Sequence, residues 1–297
     1  MELKQVAAQN QRVVAAGRYE TEQGDQVEVA SLLAAAVAGT RRYEAAELLP
    51  QLTGPTCLER TADDDSTRDD STRDEERSAG AKTTIEVTGE DTVTAARRLV
   101  AASAVDRVAV LNFASARHPG GGYLNGARAQ EEDLCRKTLL YPCLIAASGY
   151  YAAHESARDP FYSHRSIYSP GVPVIRDQRD RLTAPVVTVD VITCAAPNAG
   201  AVRRVRPDLA ERIPQVLVER AGVVLAAAAR HGARRLVLGA WGCGVFRNDP
   251  RQVAAAFRTH LVADGAFRAA FTHVTFAVLD RSAQQPNLRA FREAFAG

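Results

Sequence analysis

The sequence predicts a three-layer α/β/α fold around a mixed, largely parallel sheet, preceded by a mainly helical N-terminal extension. Three observations lead there. From residue 83 onward, short β-branched runs alternate with segments of helical periodicity. The runs Val108 to Phe113 and Pro185 to Thr193 are almost continuously apolar, as strands buried on both faces are. Two glycine-rich stretches follow such strands and precede helices, and α/β sheets bind ligands beyond the carboxyl ends of their strands.

Taken in order, residues 2 to 16 place Leu3, Val6, Ala7, Val13 and Val14 at helical spacing, with Gly17 as the stop. Gly24-Asp25 reads as a turn before a short strand from Gln26 to Val29. Ser31 is placed to cap a helix from Leu32 to Ala38 that ends at Gly39. A further short helix is expected from Tyr43 to Leu52, closed by Gly54-Pro55. Residues 1–60 thus form the extension, packed on the main domain. Thr61 to Gly80 is almost entirely Asp, Glu, Arg, Ser and Thr, with a near repeat of Asp-Asp-Ser-Thr-Arg. It has nothing to bury, so 61–82 is expected to be a solvated linker or loop. A decoy for basic partners is the weaker reading, since its arginines dilute the acidity.

The main domain, 83–297, opens with a strand at Thr83 to Thr88 and a helix at Glu90 to Ala102. The central strand Val108 to Phe113 follows, then a helix from Glu131 to Leu140 that Pro142 interrupts. Tyr151 to Val174, rich in Tyr, His, Ser and Pro, is expected to be a long structured loop over the site. After the strand Pro185 to Thr193 comes a long helix, Leu209 to Arg230, with Pro214 tolerable in its first turn. Arg235 to Gly239 is a strand. Asn248-Asp249-Pro250 starts a helix with a capping side chain and then proline. His273 to Leu279 is the last strand and Asn287 to Phe295 the last helix.

Composition excludes several classes. An apolar content of 46% is that of a globular protein with a sizeable core, and a net charge of only +2 argues against a dedicated DNA binder. Five cysteines without CxxC spacing suit free thiols in a reducing compartment. Met-Glu-Leu-Lys lacks the plan of a signal peptide, and no apolar run approaches the ~18 residues of a membrane span. A cytoplasmic monomer is expected. The histidines show no HxH or HExxH spacing, so no metal and no cofactor is assigned.

The chemistry concentrates in Asn112-Phe113-Ala114-Ser115-Ala116-Arg117-His118-Pro119-Gly120-Gly121-Gly122, followed after seven residues by Gln130-Glu131-Glu132. Three glycines are entropically costly and suit a loop that something must approach closely. Acids in a first helical turn sit at the favourable end of the macrodipole. Two surface acids on a solvated helix end would be the bland reading, but the glycines just upstream favour a ligand-hugging loop beside an acid. Helical neighbours point ~100° apart, so Glu131 and Glu132 are not expected to converge as a two-carboxylate glycosidase pair.

The second stretch, Gly239-Ala240-Trp241-Gly242-Cys243-Gly244-Val245-Phe246, is neither a Walker A loop nor GxGxxG. Its amides could form a nest for phosphate oxygens, or its glycines could serve packing alone. Trp241 and Phe246 fit either a sugar or base contact or ordinary core. Cys243 lacks an evident His–Asp partner, so a small packing residue is favoured over a nucleophile. Arg203, Arg204 and Arg206 read as a solvated loop, with contact to ligand phosphates as the alternative.

These blocks resemble the bacterial type of poly(ADP-ribose) glycohydrolase, built on a macrodomain. The similarity extends to Tyr168-Ser169-Pro170-Gly171-Val172-Pro173, to Val191-Ile192-Thr193 with Pro197-Asn198, and to Ala16-Gly17-Arg18-Tyr19, nearly the whole chain apart from 61–80. The resemblance implies a macrodomain that binds ADP-ribose and cleaves ribose–ribose O-glycosidic bonds, acting on poly(ADP-ribose) and ADP-ribosylated proteins. It implies Glu132 as general acid/base, Glu131 on ribose hydroxyls with Asn112 among the binding residues, and Gln130 setting the loop. Gly121, Gly122 and the nest of Gly242, Cys243, Gly244, Val245 and Phe246 would cradle the diphosphate, with Gly120 also among the binding residues and Phe246 on the distal ribose. Adenine would lie near Val87 to Glu90, with Glu90 as a binding residue. Relatives often carry a second asparagine where this chain has Ser115, so that ribose contact would pass through water or to another residue. A non-catalytic ADP-ribose reader and a mono-ADP-ribosyl hydrolase are the rivals; an acid in Gln-Glu-Glu favours the enzyme.

Overall fold

The computed structural model describes residues 2–48 and 83–296, so the expected linker 61–82 lies outside the described residues. The described helices are α1 (Leu3–Ala16), α2 (Ala30–Gly39), α3 (Ala45–Leu48), α4 (Thr92–Ala102), α5 (Gln130–Lys137), α6 (Leu140–Ala146), α7 (Gly149–Ala157), α8 (Ala199–Val205), α9 (Ile213–Arg230), α10 (Pro250–Leu261) and α11 (Pro286–Phe295). The strands are β1 (Arg18–Glu20), β2 (Gln26–Glu28), β3 (Arg41–Tyr43), β4 (Thr84–Thr88), β5 (Arg107–Asn112), β6 (Ser166–Arg176), β7 (Leu182–Thr193), β8 (Ala233–Leu238) and β9 (His273–Ala277). None of these helices is long and apolar enough to cross a membrane.

Seven strands form one sheet in the order β3-β6-β7-β5-β8-β9-β4, parallel from β7 to β4 and antiparallel at β3 and β6. β5 shows why the sheet must be covered twice. Ala109 and Leu111 join one core with α9, α10 and α11, whereas Val108 and Val110 join a second core with α4, α5 and α6. Period-two alternation sends successive side chains to opposite faces, which makes this an α/β/α sandwich. The parallel strands therefore end along one edge, and both glycine-rich stretches leave from it.

Several boundaries differ from expectation for identifiable reasons. Ser31 is not the cap of α2: the helix starts at Ala30, and the Gly17 carbonyl takes the amides of Val29 and Ala30 at 2.8 and 2.9 Å. Tyr43 lies in a strand, not a helix, because β3 pairs with β6 and becomes the outermost strand of the main sheet. The helix after the first glycine loop breaks earlier than Pro142. Thr138 bridges to Val174 and Leu139 donates to the Pro173 carbonyl at 2.9 Å, and Pro142 then falls inside α6, near its start. Tyr151 to Val174 is not one loop: it holds α7, much of β6, and only a short connection between them. Pro170-Gly171 disguised β6, since the register shifts between Ser169 and Val172. That irregularity is held by buried Asp190, which accepts from the Gly171 amide at 2.8 Å and the Tyr168 hydroxyl at 2.5 Å.

The extension is tied to the back of α5. Asn10, buried on α1, donates to the Cys135 and Arg136 carbonyls at 3.3 and 2.7 Å, near the C-terminal end of α5. Its oxygen accepts from buried Arg176 at 2.8 and 3.0 Å. The Tyr123 hydroxyl also reaches the Ala7 carbonyl, at 3.4 Å. One helix of the extension thus braces both the glycine loop and the helix that carries the two glutamates.

Candidate active site

The first glycine loop is held by the side chains that follow it. Gln130 staples the end of β5: its oxygen accepts from Phe113 N at 2.8 Å, and its amide donates to the Leu111 carbonyl at 2.9 Å and Thr92 Oγ1 at 3.1 Å. Glu131, 2% exposed, accepts on both oxygens, from Asn112 Nδ2 at 3.2 Å and Ser115 N at 2.6 Å. Asn112 is itself fully buried; its Nδ2 also donates to Thr193 Oγ1 at 3.2 Å, and its Oδ1 has no partner among the described residues. Glu132 differs from its neighbour. Its Oε1 accepts from Gly122 N at 2.8 Å, while its Oε2 is buried and has no partner among the described residues.

The two carboxylates do converge, contrary to the angular expectation. A Cβ placed on Gly121 would lie 2.4 Å from Glu132 Oε1 and 3.2 Å from Glu131 Oε2. Two long side chains bridge what ~100° separates at the backbone, and only a glycine, here at φ +56°, leaves room between them. Burial pushes the Glu131 carboxyl up to about 8, with the Glu132 charge adding to the effect and the bonds from Ser115 and Asn112 opposing it. Gly120 is buried against the Tyr141 ring, 2.9 Å from where its own Cβ would be.

Ser115 holds its own loop in place. Its amide serves Glu131, and its hydroxyl accepts from the amides of His118 at 3.1 Å and Arg117 at 3.3 Å. The shorter side chain folds back on its own loop, a local turn that serine forms readily.

The second stretch is built the opposite way. Gly242, at φ +71°, has Ala196 Cβ and Asn248 Nδ2 at 2.5 and 2.6 Å from its missing Cβ, so close packing fixes it. Asn248 donates to the Gly242 and Pro197 carbonyls at 3.1 and 2.8 Å. Yet the amides of Gly242, Gly244, Val245 and Phe246 carry no hydrogen bond among the described residues. Free amides in a turn at the carboxyl edge of a sheet can receive an anion. Trp241 resolves to core: it is fully buried and donates to the Cys194 carbonyl at 2.8 Å. Phe246 is half-buried, 5.7 Å from the Tyr162 ring and against the small cluster of Ala114, Ala116 and Ala195. It therefore joins the two stretches. Tyr162, on the connection between α7 and β6, gave no separate signal in the sequence. Burial pushes the Cys243 thiol up to about 12, which leaves no thiolate for a nucleophile near neutral pH.

Glu90 follows β4 at the same edge but pairs with Arg98 at 2.6 Å. Arg203 and Arg204 end α8 instead of a loop; Arg203 donates to the Arg247 carbonyl at 3.1 Å, and Arg206 pairs with Asp208 at 3.2 Å.

Comparison with known proteins agrees with this geometry. Residues 7–177 match the family described as microbial-type PARG, catalytic domain. The chain is similar to a crystal structure of poly(ADP-ribose) glycohydrolase from Thermomonospora curvata, at 46% identity over 99% of both chains and TM-score 0.87. The same enzyme bound to the inhibitor ADP-HPD matches at 45% identity, 99% coverage of both and TM-score 0.86. A poly(ADP-ribose) glycohydrolase from Deinococcus radiodurans in complex with ADP-ribose matches at 44% identity over 88% of this chain and 96% of that one, TM-score 0.75. A search of curated protein sequences gives no match.

Proposed function

The chain belongs to the microbial-type poly(ADP-ribose) glycohydrolase family, and from that premise we propose that it hydrolyses ribose–ribose O-glycosidic bonds in poly(ADP-ribose) to release ADP-ribose. One observation carries the assignment of roles within it. Of the two converging carboxyls, Glu131 has both oxygens engaged by the protein, whereas Glu132 is anchored through Oε1 and keeps Oε2 buried and unpartnered. A buried polar atom without a partner costs roughly 1–3 kcal/mol, a cost that a bound substrate hydroxyl or ether oxygen would remove. Glu132 is therefore the general acid/base.

In the proposed reaction the Glu132 carboxyl gives its proton to the leaving 2′-oxygen as the bond from that oxygen to the distal ribose carbon breaks. The carboxylate then takes a proton from water as the water oxygen bonds to the same carbon, through an oxocarbenium-like transition state. The net consumption is one water. Glu131 keeps a second lone pair on each oxygen for ribose hydroxyls. The free amides of Gly242, Gly244, Val245 and Phe246 receive the diphosphate, and Phe246 covers the distal ribose; the amides of Gly121 and Gly122 are given to the His118 carbonyl and Glu132 Oε1, so these glycines only let the ligand approach. That remote anchoring supplies binding energy to position the sugar. Adenine lies toward Val87 to Glu90. The main domain carries the reaction and α1 of the extension braces it through Asn10 and Ala7. Free thiols at Cys135, Cys143, Cys194 and Cys243 among the described residues fit a reducing compartment, and the proposed setting is the cytoplasm, with a monomer acting on ADP-ribosylated proteins.

The test is incubation with labelled polymer and, separately, with mono-ADP-ribosylated protein. Free ADP-ribose from the polymer is expected. Release from the mono-modified protein alone would reassign the reaction, and binding without release from either would make the chain a reader.

A further inference from the structure

We propose that Arg117, His118 and Arg128 form a leaving-side subsite that binds the diphosphate of the polymer unit next to the scissile bond. The inference rests on the hydrolase reading, because only a polymer cut at Glu132 places a second unit there.

Three observations support it. First, residues 113–129 contain no Asp or Glu, although the chain as a whole is nearly neutral. Second, the side chains of Arg117, His118 and Arg128 are exposed and make no ion pair or hydrogen bond among the described residues. Elsewhere on the described surface, many exposed arginines are paired, as Arg98 is with Glu86 and Glu90 and Arg181 with Asp177. Third, the backbone that carries them is fixed to the catalytic carboxyls. Arg117 N and His118 N donate to Ser115 Oγ, and Ser115 N donates to Glu131 Oε2 at 2.6 Å. Arg128 follows Ala127, whose amide donates to the Gly122 carbonyl at 3.2 Å and whose carbonyl accepts from Arg136 at 2.6 Å; Gly122 N holds Glu132. The two arginines and His118 thus lie on backbone that is hydrogen-bonded to the residues holding Glu131 and Glu132. Leu124, 47% exposed in the same loop, adds apolar surface for a base.

Chemistry favours a diphosphate as the partner. The leaving ribose carries one a few bonds from the broken linkage, and guanidinium groups bind phosphate oxygens bidentately. Such contacts release counterions, so the subsite should make polymer binding more sensitive to salt than ADP-ribose binding. The nest after β8 is already assigned to the unit being released, so the second diphosphate needs its own donors.

The test uses the full chain carrying Glu132→Gln, titrated with ADP-ribose and with a purified two-unit oligomer from low to high salt. The oligomer is expected to bind about tenfold more tightly at low salt, with the steeper salt slope. Adding Arg117→Ser and Arg128→Ser should reduce the oligomer to the affinity of ADP-ribose and leave ADP-ribose binding unchanged. Oligomer binding that ignores these substitutions overturns the subsite, as does an equal fall for both ligands. Turnover of the oligomer by the parent chain reports separately on the hydrolase reading.

Discussion

The two glycine-rich stretches leave the same edge of the sheet, yet they treat their amides in opposite ways. Before α5, the amides of Phe113, Ser115 and Gly122 are taken by the side chains of Gln130, Glu131 and Glu132. After β8, four amides of the turn take nothing from the protein among the described residues. One stretch spends its hydrogen bonds on holding acids in place before any ligand arrives; the other holds them in reserve. Preorganised groups need no rearrangement during the reaction, and unsatisfied donors gain most when an anion replaces water. Chemistry and anchoring are thereby separated along one edge.

The sharpest way to break that division is Glu132→Gln. The substituted amide oxygen can still accept from Gly122 N, so the loop should keep its shape, but no proton can be delivered. Turnover of polymer should fall by about 10²–10⁴-fold, roughly 3–5 kcal/mol of barrier, with ADP-ribose affinity kept within a small factor. Initial rates and calorimetric titration check the two halves. Retained turnover would move the acid elsewhere; lost ADP-ribose binding would mean that the two stretches are not separable.

Glu131 tests the electrostatic side of the same region. Its folded carboxyl is raised to about 8, above the ordinary 4.5, mainly by burial. The folded chain therefore keeps a proton that the unfolded chain releases. The resulting stability is fully present below pH 4.5 and is lost as pH rises toward 8, at about 1.4 kcal/mol per unit within that window. Glu131→Gln mimics the neutral acid and removes this slope, so the variant should gain on the parent by a few kcal/mol between pH 5 and pH 8. Denaturant unfolding of both at the two values cancels every other titrating group. Parallel pH profiles would show that Glu131 is charged in the folded chain.

Gly121→Ala attacks the preassembled stretch through its backbone. A methyl group there meets Glu132 Oε1 at 2.4 Å, in a backbone conformation that alanine resists. A loss of about 1–3 kcal/mol in stability is expected, together with displacement of the acid and hence of kcat. Gly242→Ala should cost a similar amount, against Ala196 and Asn248; its activity loss should appear in ADP-ribose affinity. Thermal unfolding with separate kcat and titration measurements tells the two apart, and identical kinetic signatures would contradict the division.

Much of this was legible in the sequence because it is local. The strand–glycine–helix order, the Gln-Glu-Glu at a helix start and the helix opened by Asp249-Pro250 each depend on residues close together in the chain. Less visible were features set by distant partners. The angle between helical neighbours said nothing of where two long carboxyl side chains end, so the convergence of Glu131 and Glu132 on Gly121 was missed. The bracing of α5 by Asn10 and Arg176 spans more than a hundred residues of separation. β6 was hidden because Pro170-Gly171 reads as a break, whereas Asp190 from β7 satisfies the irregular backbone. The use of the Ser115 hydroxyl by the amides of Arg117 and His118 was likewise not legible, because the turn it makes depends on the loop's fold.

Gly244 offers the smallest and most selective test. At Gly121 and Gly242 packing alone explains the glycine, since neighbours fill the place of a Cβ. At Gly244 nothing lies within 4 Å of that place, and its φ is not among the positive ones. A glycine there loses more conformational entropy on folding than alanine would, and no neighbour requires it. Gly244→Ala should therefore leave stability unchanged or raise it by about 0.4–1 kcal/mol through the unfolded chain. If a diphosphate approaches the free amides of Gly244 and Val245 closely, the added methyl should still weaken ADP-ribose binding several-fold, with kcat on polymer little altered. Unchanged stability with weaker binding would assign this glycine to the ligand. Full affinity would shift the anchoring role to Gly242, Val245 and Phe246 and leave Gly244 with no account in either packing or recognition.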